Sequence, residues 1–160
     1  MSRATILTFA IIACAACAKA PEAPNVPAPG SGPANPVLEA ATYAPALQVD
    51  LKGSTKSASG LYYRDLVVGT GAEAVVGKQV TAKYDGTLVD GSRFDAGIYP
   101  FILGARRVIP GWDEGLVGMK VGGKRQLIIP SDLAYGPNGS PPRIPGNSIL
   151  VFMVELVAVQ

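Results

Sequence analysis

The chain has 160 residues, of which 48% are hydrophobic, a composition that fits one packed domain with additional segments. The formal net charge is only +2, from 14 basic and 12 acidic side chains, which excludes the strongly basic surface typical of nucleic-acid-binding proteins. Because histidine is absent and the only cysteines, Cys14 and Cys17, lie near the N-terminus, we expect no metal site, no cofactor and no thiol nucleophile in the folded part.

Residues 1–17 are predicted to form a signal peptide for secretion across the inner membrane. Arg3 precedes an apolar stretch at residues 6–13, which is far shorter than the roughly 20 residues of a membrane-spanning helix. Two interpretations of its end remain open. The small residues around Cys17 suit ordinary signal cleavage, but they also resemble an imperfect bacterial lipobox, with lipid on Cys17 or, as the second choice, on Cys14. The expected location is the periplasm, either free or as a membrane-anchored lipoprotein.

Residues 18–58 are predicted to form a disordered linker. Six prolines between residues 21 and 36 keep the chain extended and prevent helix or sheet, and residues 47–57 add a polar run. The segment is interpreted either as a semi-rigid spacer next to a membrane or simply as a disordered leader. The globular domain is predicted at residues 59–160.

The globular part is predicted to consist of short strands and one short helix. Strand patterns occupy residues 61–68, 79–88, 124–129 and 149–159, and Asp90-Gly91 marks a hairpin turn after the second of them. The only convincing helix covers residues 111–117, directly after Pro110 and with acidic residues in its first turn. This order predicts an α+β fold, in which an antiparallel sheet packs on one short helix.

Most large aromatic side chains lie between Tyr84 and Phe152, on these strands and at the start of the helix. No histidine, cysteine or metal-ligand cluster accompanies them. An aromatic cavity of this composition suits a reaction in which no covalent bond is made or broken. Rotation about a prolyl peptide bond is such a reaction.

Five short sequence blocks in this region have a characteristic order and spacing: Tyr84-Asp85-Gly86, residues 91–95, residues 108–116, Ala134-Tyr135-Gly136 and residues 150–156. Together they resemble the FKBP-type peptidyl-prolyl cis–trans isomerases, over about residue 60 to the C-terminus. The resemblance implies a half-barrel of antiparallel strands wrapped around one helix. It also implies cis–trans isomerisation of proline-containing polypeptides in the bacterial cell envelope, without a cofactor, and binding of macrolides of the FK506 and rapamycin type.

The resemblance further implies a proline pocket with Trp112 as its floor. The backbone N–H of Ile109 and the hydroxyl of Tyr135 would donate hydrogen bonds to substrate carbonyls, and Asp95 would be a polar acceptor at the rim. Ile144 would lie on the loop before the last strand. The implied catalytic residues are Tyr84, Phe94, Asp95, Ile109, Trp112, Tyr135 and Phe152, and the implied substrate-binding residues are Tyr99, Val108 and Ile144.

The sequence departs from the family pattern at the rim of this pocket. The basic residue that often pairs with Asp95 is absent, and Ser140 and Arg143 replace a common histidine and a common apolar residue. These changes bear on substrate preference more than on the pocket floor. Two alternative functions remain open at this point: an envelope chaperone or peptide-binding module with little catalysis, and a structural lipoprotein that uses the fold only as a scaffold.

Overall fold

The computed structural model describes residues 36–160, so the predicted signal peptide and the predicted linker as far as residue 35 lie outside the described part. Three single turns of 3-10 helix occur at Pro45–Leu47, Ser131–Leu133 and Gly136–Asn138. Within the described range, none of the helices has the length and apolar character needed to cross a membrane. The α-helices and strands are, in chain order, α1 (Pro36–Ala40), β1 (Thr55–Lys56), β2 (Tyr62–Val67), β3 (Gln79–Leu88), β4 (Arg93–Ile102), α2 (Pro110–Gly115), β5 (Lys124–Ile129) and β6 (Leu150–Val159).

The six strands form one sheet in the order β1-β2-β5-β6-β3-β4, and every neighbouring pair is antiparallel. Strands β3 and β4 are joined by a hairpin loop around Gly91, which has a φ of +88°, as the Asp90-Gly91 turn signal predicts. The long β6 lies between β5 and β3, so the C-terminal strand joins the two halves of the sheet. The predicted fold class, an antiparallel sheet around one short helix, is confirmed.

Helix α2 packs closely on β5 because two of its residues lack a side chain. A Cβ atom at Gly111 would lie 2.5 Å from the side chain of Ile129, and one at Gly115 would lie 2.8 Å from that of Leu127. The helix therefore presents Trp112, which is only 5% exposed, to the concave face of the sheet. On that face the alternation predicted for β6 is confirmed, since its core-facing residues are all buried: Leu150, Phe152, Val154 and Leu156.

The outer face of the sheet is covered by residues 36–58, which we call the N-terminal strap. Leu38 is fully buried there against Tyr62, Ile128 and Val151, which are the outward-facing residues of β2, β5 and β6. The prediction of a disordered linker as far as residue 58 is therefore wrong for the strap, and so is the domain start at residue 59. The physical reason is that these strands are apolar on both faces, so the outer face requires a cover.

Polar contacts fix the strap along its length. The amide of Gln126 donates to the carbonyl of Leu47 at 2.7 Å, and the hydroxyl of Tyr62 donates to the carboxylate of Glu39 at 2.6 Å. The backbone N–H of Ala44 donates to the carbonyl of Val89 at 2.8 Å, in the loop between β3 and β4. The strap thus runs from the loop between β3 and β4, at one side of the sheet, to its own strand β1, which forms the opposite edge.

Replacing Leu38 with Ala tests the contribution of the strap. We expect the free energy of unfolding to fall by about 2–5 kcal/mol, because a fully buried leucine side chain is removed and a cavity remains. Val37→Ala is the control, since Val37 is 63% exposed and its replacement should change stability by no more than about 0.5 kcal/mol. Urea unfolding of both variants measures the difference, and equal stabilities would contradict a structural role for the strap.

Candidate functional site

An aromatic cavity with a volume of about 240 Å³ opens between α2, the inner face of the sheet and the 3-10 turns that follow β5. Nine of the ten residues predicted from the sequence line it, and Arg107 is added to them. The walls of the cavity consist of Tyr84, Phe94, Asp95, Tyr99, Arg107, Val108, Ile109, Trp112, Tyr135 and Phe152.

Trp112 lies at the centre of the aromatic contacts. Its ring meets the rings of Tyr84 and Phe152 edge-on, with centroids 5.0 Å and 5.3 Å apart, and Phe94 meets Phe152 in the same manner at 5.5 Å. Such edge-to-face pairs stabilise a defined ring orientation. Gly86 makes room for them, because a Cβ atom there would lie 2.7 Å from the rings of both Phe94 and Phe152. The wall of the cavity is therefore a set of aromatic rings in mutual edge-to-face contact.

Several hydrogen-bond donors that line the cavity have no acceptor among residues 36–160. They include the backbone N–H of Ile109, the hydroxyl of Tyr135 and the buried Nε1–H of Trp112. Ile109 is half-buried just before α2, and its carbonyl accepts the backbone N–H of Trp112 at 2.9 Å. Buried polar groups normally have partners, so the unpaired Nε1–H of Trp112 is unusual. Together with the N–H of Ile109 and the exposed hydroxyl of Tyr135, it offers hydrogen-bond donors to a ligand that carries acceptors.

Asp95 lies at the rim, exposed to solvent, and is held by neutral donors. Its carboxylate accepts the hydroxyl of Tyr84 at 2.8 Å and the backbone N–H of Ala96 at 3.0 Å. Within the described range no basic side chain forms an ion pair with it, in agreement with the missing basic residue noted in the sequence. Asp95 therefore orients the ring of Tyr84 at the cavity wall.

The hydroxyls of Tyr84 and Tyr135 remain protonated over a wide pH range. Burial, followed by the hydrogen bond to Asp95, raises the pKa of Tyr84 to about 12. Burial and the nearby charge of Asp95 also raise the pKa of Tyr135 above its ordinary value. Both groups are thus neutral near pH 7, so the unpaired hydroxyl of Tyr135 is available there as a hydrogen-bond donor.

The loop that precedes α2 is fixed by one carboxylate. Asp113, in the first turn of the helix, accepts the backbone N–H of Gly104 at 2.8 Å and that of Arg106 at 2.9 Å. Both residues have positive φ angles, +79° and +56°, so this loop has a specific left-handed geometry. Asp113 therefore determines where residues 107–109 meet the cavity, a more specific role than that of a helix N-terminal charge.

The structure corrects the sequence prediction at two positions. Ile144 does not line the cavity; it is only 4% exposed and packs in the core, while its backbone pairs with that of Ser140 and so anchors the loop before β6. Arg107 was not predicted, although it directly precedes the matched block at residues 108–116. On the same loop as Ile144, Arg143 donates from Nη1 to the carbonyl of Phe94 at 3.3 Å.

Within residues 36–160 no group of His, Cys, Asp and Glu side chains is arranged to hold a metal ion.

Comparison with known protein families agrees with this geometry. The sequence profile of the family described as FKBP-type peptidyl-prolyl cis-trans isomerase matches residues 71–157, which is more than half of the chain. The matched segment runs from shortly before β3 to β6 and contains every residue that lines the cavity.

Individual relatives have similar sequences and folds. FK506-binding protein 4 of Dictyostelium discoideum is 54% identical over 62% of this chain, but only 28% of that protein is covered. An FK506-binding protein of Neisseria meningitidis serogroup B is 47% identical over 62% of this chain and 96% of its own length. The crystal structure of FkpA from Escherichia coli aligns with a TM-score of 0.62 and 45% identity, over 68% of this chain and 52% of FkpA. The chain therefore spans only part of some of its relatives.

Alkaline unfolding tests the environment of Tyr84. Because its pKa is raised to about 12 in the folded state, the neutral hydroxyl contributes stability below the ordinary pKa of about 10, and that contribution is lost as the pH rises towards 12. We expect the unfolding free energy of the wild type to fall over this range, and to fall less in Tyr84→Phe. Urea unfolding between pH 9 and about 11.5 measures both. An identical decline in the two proteins would contradict this environment.

Proposed function

The chain belongs to the family of FKBP-type peptidyl-prolyl cis–trans isomerases, and we propose that it accelerates the cis–trans rotation of Xaa-Pro bonds in polypeptides. The observation that carries the proposal is the aromatic cavity around Trp112, with its unpaired donors at Ile109 and Tyr135. The polypeptide substrate would place its proline ring over the indole and its backbone carbonyls against these donors.

The cavity is suited to this reaction because the barrier to rotation is electronic and needs no reactive side chain. An uncatalysed peptide bond rotates over a barrier of about 18–20 kcal/mol, since twisting it removes the amide resonance. The planar bond separates charge more than the twisted bond does. An apolar surface formed by the rings of Phe94, Trp112 and Phe152 would therefore disfavour the planar state relative to the twisted one.

Hydrogen bonds to the substrate carbonyls on either side of the rotating bond would hold the substrate in place while the apolar wall favours the twisted bond. The N–H of Ile109 and the hydroxyl of Tyr135 belong to different segments of the chain, one before α2 and the other after β5. Each would hold one substrate carbonyl while the bond between them turns. Binding interactions that fit the twisted bond better than either planar isomer lower the barrier further. Asp95 supports the site indirectly, because it holds the hydroxyl of Tyr84.

Exchange spectroscopy by NMR on a short Xaa-Pro peptide tests the proposed activity. We expect the wild type to accelerate exchange and Tyr135→Phe to lower kcat/KM by about two- to tenfold, which is the effect of one lost hydrogen bond. Tyr63→Phe is the matched control, since this tyrosine lies outside the cavity, under the guanidinium of Arg125. Trp112→Ala should abolish catalysis and also lower stability by about 3–5 kcal/mol.

The same experiment separates an isomerase from a peptide-binding module. A folded wild-type protein that binds the peptide but leaves its exchange rate at the uncatalysed value would refute the enzyme and favour the module. We also propose that the cavity binds macrolides of the FK506 type, for which several relatives are named. Such a ligand should then compete with the peptide.

We further propose that the protein acts in the bacterial cell envelope, either free in the periplasm or anchored by lipid on Cys17. This proposal is supported by the sequence of residues 1–17, where one positive charge precedes an apolar stretch and small residues surround the cysteine. The proline-rich residues that follow would then separate the folded domain from the membrane surface.

Fractionation of cells tests the lipid anchor. We expect the wild type in the membrane fraction and the double variant Cys14→Ser/Cys17→Ser in the soluble envelope fraction, because more than one acyl chain is needed for stable anchoring. Cys14→Ser alone is the control and should stay with the membrane if Cys17 carries the lipid. A wild type that is secreted and wholly soluble would exclude the anchor and leave ordinary signal cleavage.

A further inference from the structure

The walls of the aromatic cavity contain two charged side chains, Asp95 and Arg107. The carboxylate of Asp95 already accepts two hydrogen bonds, from Tyr84 and from the backbone of Ala96. Arg107 is exposed, and within the described range it has neither a hydrogen-bond acceptor nor an ion-pair partner. An unpaired guanidinium therefore stands where a bound polypeptide would pass.

The neighbouring arginine differs from Arg107 in its surroundings. Arg106 lines another cavity of about 510 Å³ together with Asp113 and Glu114, and it is not among the residues that line the aromatic cavity. Asp113 also accepts the backbone N–H groups of Gly104 and Arg106, and so fixes the segment that leads from β4 to the two arginines. The loop thus directs two adjacent cations to different cavities, and only Arg107 lines the aromatic one.

The groove next to Asp95 adds further positive charge. A cavity of about 450 Å³ shares Phe94 and Asp95 with the aromatic cavity and is also lined by Arg93 and Arg143. Arg93 forms an ion pair with Asp85, but Arg143 donates only to the neutral carbonyl of Phe94. Two cations without an ion-pair partner, Arg107 and Arg143, therefore lie along the combined groove, against the single carboxylate of Asp95.

From this charge distribution we infer that Arg107 determines substrate specificity and selects polypeptides with an acidic side chain near the proline. The inference rests on the isomerase function proposed above. Arg107 precedes Ile109 by two residues, which corresponds to about 7 Å of extended chain. If the N–H of Ile109 holds a carbonyl next to the proline, the guanidinium reaches side chains within about two residues of it. A carboxylate there would form a charge-assisted hydrogen bond with Arg107.

Isomerisation of charge-matched peptides tests this inference. The peptides carry one proline among alanines, with Glu, Gln or Lys placed singly at each of the two positions on either side. We expect the wild type to show a kcat/KM ratio of Glu to Gln of about two- to fivefold at one or more positions, which is the range for a solvent-exposed ion pair. Added salt should reduce the ratio, because exposed charges are screened.

Variants of the two arginines identify the residue responsible. Arg107→Gln should bring the ratio of Glu to Gln close to one, and Arg107→Glu should favour the Lys peptide instead. Arg106→Gln is the matched control: it removes the same charge from the same loop but faces the other cavity, so it should keep the wild-type ratio. A purely structural role of Arg107 would lower the rates for all peptides equally and leave the ratio unchanged.

Three results would overturn the inference. These are a wild-type ratio of one at every position, a ratio that survives Arg107→Gln, and a preference for Lys in the wild type, which would mean that Asp95 dominates the rim. In each of these cases the peptides are still isomerised, so the proposed function stands. If no peptide is isomerised faster than in buffer, the proposed function fails and this specificity fails with it.

Discussion

The close packing of α2 on β5 is the constraint on which the rest of the structure depends. Gly111 and Gly115 remove the side chains that would separate helix and sheet, and Trp112, between them on the helix, is thereby pressed into the concave face. The rings of Tyr84 and Phe152 then meet the indole edge-on. The same helix carries Asp113, which fixes the loop before it, so one short element positions both the floor of the cavity and one of its walls.

The sheet in turn depends on being covered on both faces. Helix α2 protects the inner face, and the N-terminal strap protects the outer face over β2, β5 and β6, where Leu38 is fully buried. The strap also binds the loop between β3 and β4 through Ala44 and Val89. That loop is followed directly by Phe94 and Asp95. The N-terminal strap on the outer face therefore contacts the segment that leads into the rim of the cavity on the inner face.

The proposed reaction needs no reactive side chain, but it needs hydrogen-bond donors and aromatic rings in a defined arrangement. Nothing in the cavity needs to ionise or to attack, and burial raises the pKa of Tyr84 and of Tyr135, which extends the neutral range of their hydroxyls further above pH 7. What matters is that donors without partners meet an apolar surface. The charges lie at the rim, where Asp95 and Arg107 can influence which polypeptide enters without taking part in the bond rotation.

The sequence by itself indicated the antiparallel fold class and four of the six strands, because strand alternation is a local signal. Nine of the ten predicted site residues line the cavity, and these came from the resemblance to a known family, which blocks such as Tyr84-Asp85-Gly86 carry. The order of the strands in the sheet was not predicted. Only the tertiary structure decided the rest. Ile144 has the character of either a wall or a core residue, and the long-range packing of its loop places it in the core. The sequence predicted a linker for the strap because its few apolar residues, such as Leu38, have packing partners only on the folded sheet. No local signal predicted that Arg107 lines the cavity either, since its position follows from a loop that Asp113 fixes through Gly104 and Arg106, nine and seven residues earlier in the chain.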